Sequence, residues 1–221
     1  MEEVWAGVQR RIERLRRASR WRRSSKEVFG ANGHGFELLP PLSEADVAQA
    51  ESQFEVGLPQ EYRSFLRIVS AGGAGPYYGL FPLIKDRTGR WGWRGDGAEL
   101  TEGSALNVSF QPGDVTDSLT QLEGQRPSFE DDPAYEAWLD EYEEVLWHPD
   151  RTRGAVCLCH EGCAYRDWLV VSGPHRGQIW DDERAGDIDL APSLSTDNTI
   201  LTFSSWYLSW LTRAELTLLG P

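Results

Sequence analysis

Three short β-rich runs crowd into one stretch of the chain, at residues 155–159, 168–171 and 178–180, the last following a Gly-Pro-His-Arg-Gly turn. A parallel neighbour needs a crossover of roughly a dozen residues or more, so connections this short force antiparallel hairpins. The flanking sequence has a different period. Tyr62, Phe65, Leu66 and Val69 recur at i, i+3, i+4 and i+7, while Phe203, Trp206, Tyr207, Trp210 and Leu211 make a wide aromatic stripe. Both are helical patterns. Helices, then a meander, then a closing helix define an α+β fold, and 221 residues suffice for one sizeable core.

The first predicted helix spans 2–17, with Val4, Trp5, Val8, Ile12 and Leu15 on one face and arginines on the other. A polar connector over 18–39, with Ser24, Ser25 and the glycines of 30–35, is expected to be flexible. Ser43 then serves as an N-cap, and Glu44 and Asp46 set negative charge at the positive end of the helix dipole. Val47, Ala50 and Phe54 form the buried stripe, and Gly57 is the expected stop. Pro59 opens the next helix as a first-turn proline, and Gly72 and Gly73 end it.

The following AGGAGPYYGLFPL reads as a tight loop entering a strand; its glycines lack the spacing and the strand-then-helix setting of a dinucleotide-binding loop. Residues 84–128, rich in Gly, Asp, Ser and Thr with apolar pieces such as 105–110, give no clear strand positions. Asp132 as N-cap and Pro133 as first-turn proline begin a helix over 133–147, whose apolar face is Tyr135, Trp138, Leu139, Tyr142 and Leu146. The chain therefore reads as a single domain over 1–221. Its parts are the first helix (1–17), the connector (18–39), a helix pair with its glycine–aromatic loop (40–83), a variable acidic region (84–153), and hairpins with the closing helix (154–219).

Charge narrows the function classes. The net charge is −13, yet residues 1–26 alone hold nine basic and three acidic side chains. The remainder carries −19. So acidic a body repels nucleic acid and attracts basic partners, and the arginine-rich first helix reads as a solvated face. No run approaches the ~20 apolar residues of a membrane span, and the charged N-terminus lacks the apolar stretch of a secretory signal. The expectation is a cytoplasmic protein with no membrane and no nucleic-acid partner.

The blocks now placed resemble the SUKH superfamily (Smi/Knr-like domains), which includes a fungal regulator of cell-wall synthesis and many bacterial immunity proteins. The resemblance is carried by PPLSEADVAQAESQFEVGLPQEYRSFLRIVSAGGAGPYYGLFPL (residues 40–83), by CLCHEGCAYRDWLVVSGPHRGQIWDD (157–182), by the closing FSSWYLSWL (203–211), and more weakly by the first helix with Trp5. It implies a compact α+β domain without enzymatic activity or cofactor. Bacterial members bind and neutralise cognate toxins directly. The long 84–153 region departs from the pattern, so no partner surface carries over from other members.

Chemistry other than binding finds little support in the residues. Cys157, Cys159, His160 and Cys163 fall within seven residues and could be weighed as zinc ligands. Their C-x-C-H-x-x-C spacing is not that of paired zinc knuckles. Strand alternation would place Cys157 and Cys159 on one face as small core residues, with His160 on the other. Neither a metal site nor a nucleophilic cysteine is expected, and no G-x-S-x-G, H-E-x-x-H or phosphate-loop motif occurs. Carboxylates abound, but no pair is singled out by spacing.

The anomaly is an acidic run. Residues 129–150 contain nine Asp or Glu and no Lys or Arg. Glu136, Asp140, Glu143 and Glu144 lie off the apolar stripe of the 133–147 helix. Glu143 and Glu144 also stand at the end where the dipole disfavours anions by ~0.3–1 kcal/mol. The expected partner-binding residues are therefore Asp131, Asp132, Glu136, Asp140, Glu143, Glu144, Asp181 and Asp182. The expected function is non-catalytic binding to a protein with a basic surface. That partner is a cognate toxin (a nuclease with a positive substrate channel, for example) or, alternatively, endogenous proteins gathered by a regulatory hub.

Overall fold

A computed structural model describes residues 2–21, 27–113, 115–186 and 188–220. Ser24 and Ser25 of the expected connector lie outside them. The architecture is mixed α+β, and every strand pairing is antiparallel.

The first helix is interrupted. A 3-10 turn over Glu2–Trp5 is followed by Gly7 in the left-handed region (φ 79°), and α1 then runs Val8–Trp21. Gly7 redirects the chain at little cost because it has no Cβ. The break leaves Val4 exposed, whereas Trp5, Val8, Ile12 and Leu15 are buried. In place of an irregular connector, residues 31–34 form the short helix α2 (Ala31–His34) between two left-handed glycines, Gly30 and Gly35.

Helices α3 (Glu44–Phe54) and α4 (Gln60–Ile68) follow as the sequence implies, with differences at their ends. Ser43 caps α3 through a full capping box with Asp46, which satisfies two otherwise unpaired amides. The stop is Glu55 rather than Gly57: it takes the left-handed conformation (φ 53°) and its N–H reaches back to Glu51 and Ser52 carbonyls. Pro59 sits at the N-cap of α4, one position before the expected first turn.

The glycine–aromatic loop leads into β1 (Leu83–Lys85), which pairs with β2 (Trp91–Trp93) in a small hairpin. Then come α5 (Thr116–Glu123) and α6 (Asp132–Leu146); Asp131, not Asp132, occupies the N-cap of α6. Strands β3 (Ala155–Gly162), β4 (Tyr165–Val170), β5 (Ile179–Asp182) and β6 (Ala191–Pro192) form a meander in that order. The open edge of β3 is covered by the preceding loop, where Phe81 N–H donates to the Leu158 carbonyl (2.7 Å) and Tyr78 N–H to that of His160 (3.3 Å). Helix α7 (Phe203–Leu219) closes the chain.

One continuous core joins α1, α3, α4 and α7 to strands β1–β5. Trp5 stands at its centre, edge-on to Phe65, Phe203 and Tyr207, with its indole donating to Ser64 Oγ at 2.8 Å. Burying each such ring contributes ~1.5–3 kcal/mol. The α5–α6 hairpin stands apart, with Leu122, Trp138 and Leu146 buried outside that core. Among the described residues no helix is long and apolar enough to cross a membrane.

Candidate protein-binding face and an acid-floored cavity

Helix α6 turns one stripe inward. Trp138 and Leu146 are buried, and the Trp138 indole donates to the Leu122 carbonyl of α5 at 2.7 Å. Asp131, Asp132, Glu136, Asp140, Glu143 and Glu144 are all exposed, as is Glu141. No ion pair engages any of them among the described residues. Acids elsewhere are held differently. Glu44 and Glu51 pair with Arg63, Glu215 with Arg11, and Glu102 with Arg153. Two large apolar side chains flank the acidic face: Phe129, 76% exposed and edge-on to Tyr135, and Trp147, 41% exposed. Trp147 shares a shallow cleft with Asp140, Glu143, Glu144 and His148.

The dipole penalty expected at the carboxyl end of α6 is offset from outside the helix. The Leu146 carbonyl accepts from Arg151 Nη1 (3.0 Å) and Arg184 Nη1 (2.9 Å), two buried guanidiniums at the negative pole. Arg184 also stacks over Trp147 at 4.6 Å.

Asp181 and Asp182 do not belong to this face. Neighbours on a strand point to opposite sides, and β5 separates them. Asp182 is 2% exposed, forms a bidentate pair with Arg184 (2.7 and 2.8 Å) and accepts the Trp168 indole (3.0 Å). A carboxylate so enclosed meets no partner; it is a structural anchor. Asp181 faces the other way, toward α7.

The cysteines also depart from expectation. A register shift at Leu158 pairs Cys157 with Trp168 but Cys159 with Asp167, so the bulge sends the two thiols to opposite faces. Both are buried and burial pushes both thiols up, which keeps them protonated and unreactive. Cys163 lies exposed in the β3–β4 turn, and among the described residues no group of three His, Cys, Asp or Glu is arranged to hold a metal.

The face of the sheet toward α7 carries a polar array that the sequence did not single out. Cys159, Asp167 and Asp181 lie in one cross-strand row on β3, β4 and β5. Cys159 Sγ donates to Asp167 Oδ2 (3.3 Å), and Ser193 Oγ donates to Asp181. Asp167 is 1% exposed, and its Oδ1 meets no donor among the described residues. Burial first, then the charges of Glu161 and Asp181, push the Asp167 carboxyl well up, and its proton lies within reach of Asp181. Burial likewise raises Glu161 to about 7. Burial and these neighbouring charges together disfavour ionisation of Asp167.

Tyr77, Asp181 and Ser193 open onto a cavity of about 380 Å³ between this sheet and α7. Gly30 (φ 73°) lets the 27–31 segment close over it, because a Cβ there would clash with the Tyr77 carbonyl. Neither a family model, nor a curated protein, nor a solved structure matches the chain.

Proposed function

We propose that this chain is a non-catalytic, SUKH-like protein-binding domain that works in the cytoplasm by neutralising a cognate toxin with a basic surface. The observation that supports the reading is the α6 face, where exposed acids carry no counter-charge and are bracketed by two exposed aromatics. Unpaired like charges on one helix cost stability and are tolerated more readily where a partner supplies the opposite sign. Phe129 and Trp147 provide the large, rigid anchors in which interface energy concentrates, and the acids around them steer association. A nuclease whose substrate channel is positive presents the complementary surface.

The test is affinity purification of the tagged protein from its native host, read by mass spectrometry at low and moderate salt. A single co-purifying toxin domain, released as salt rises, is the expected result. Several endogenous regulators in its place would move the function to a hub, and no salt-sensitive partner would end the acidic-face reading.

A further inference from the structure

The cavity beside α7 has two walls of opposite character. On the sheet side stands Asp181, with Asp167 and Glu161 behind it. On the helix side, Trp206, Trp210, Arg213 and Thr217 recur at i, i+4, i+7 and i+11 and form one stripe of α7. Trp210 is 6% exposed, yet its Nε1 has no acceptor among the described residues. The Trp206 ring lines the same cavity. An orphaned buried donor is costly unless something else satisfies it. Arg213 is exposed, and among the described residues no carboxylate pairs with it. It shares the cavity with Asp181 without touching it, so opposite charges are held apart across a gap. Leu194, Leu201 and Phe29 complete an apolar lining.

We infer that this cavity binds a small zwitterion of amino-acid chemistry, with its ammonium on Asp181 and its carboxylate on Arg213 beside the Trp210 indole. A simple cation would leave the α7 donors unmet, and a simple anion would face the acid floor. A ligand carrying both charges bridges the gap, and its side chain lies on the apolar lining. The volume falls in the range of small-molecule sites. The cavity lies on the opposite sheet face from Asp182 and its link to α6, so this inference stands independently of the proposed protein partner.

The experiment is a titration of the purified full chain with each of the twenty standard L-amino acids, following the indole N–H resonances of Trp206 and Trp210. At least one is expected to shift both resonances saturably, with a Kd of about 1 mM or tighter. The decarboxylated and the deaminated counterparts of that amino acid should each bind at least ~10-fold more weakly, because each forfeits one charge-assisted contact. Arg213→Gln, an exposed change that leaves the core intact, and Asp181→Asn should each weaken binding to a similar extent, the remaining resonances reporting an unchanged fold. The inference is overturned if no amino acid gives a saturable shift, if either counterpart binds as tightly as its parent, or if both variants bind like wild type.

Discussion

Helices α6 and α7 are similar in length, 15 and 17 residues, and opposite in use. α7 buries Phe203, Trp206, Tyr207, Trp210, Leu211, Ala214 and Leu218 against α1, α4 and the main sheet. α6 buries only Trp138 and Leu146, rests on α5, and is pinned at its carboxyl end by Arg151 and Arg184. A helix wedged among neighbours has its sequence dictated by packing. One that touches the body along a narrow stripe is free to vary elsewhere, and a single-signed charge pattern there needs a reason beyond the fold. The acids of α6 are therefore read functionally, whereas on α7 only the Trp206–Arg213 strip is.

The largest expected effects lie in the core. Phe203→Ala should lower global stability by ~3–5 kcal/mol in denaturant unfolding, since its ring packs on Trp5, Tyr62 and Phe65. Trp138→Ala should instead loosen α5 and α6 locally, with hydrogen-exchange protection lost there and retained in α7. Equal global losses for the two variants would erase the distinction between the helices.

Asp182→Ala attacks the joint between the regions. It leaves Arg184 buried without its counter-charge, so a loss of ~3–5 kcal/mol is expected, with α6 losing protection first. A change within ~0.5 kcal/mol would show that the pair anchors nothing.

The acid row predicts a pH slope. Because Asp167 and Glu161 titrate above their ordinary values, the folded state holds more protons than the unfolded one once pH exceeds their ordinary range near 4. Stability contributed by these groups is therefore lost as pH rises toward about 7, and Asp167→Asn should flatten that slope. Carboxyls with lowered values, such as Glu44 and Asp86, tilt stability the other way at more acidic pH, and burial, which lowers His34 to about 4, does so between about pH 4 and 6.5. A slope between pH 5 and 7.5 that is unaltered in the variant would contradict this.

Much of the fold was legible because its signals are local. Ser43 with Asp46 is a complete capping box, the α7 stripe is periodic, and the close spacing of the 154–182 runs dictates hairpins. The β1–β2 hairpin escaped notice because each strand has three residues and Gly92 separates two tryptophans. The bulge at Leu158 leaves no mark in composition, so the expected pairing of Cys157 with Cys159 on one face failed. Asp181 and Asp182, adjacent on β5, face opposite sides of the sheet and so cannot share one surface. The cavity was out of reach, because Tyr77, Asp181 and Arg213 meet only through tertiary register.

The smallest expected change in stability accompanies the most direct test of function. The E136K/D140K/E143K variant exchanges exposed, unpaired acids, so its unfolding free energy should change by no more than ~0.5 kcal/mol per site. Its affinity for the basic partner recovered from the native host, measured across a salt series, should fall at least ~100-fold and lose most of its salt dependence. Unchanged affinity with an unchanged salt slope would contradict the assignment of α6 as the binding face.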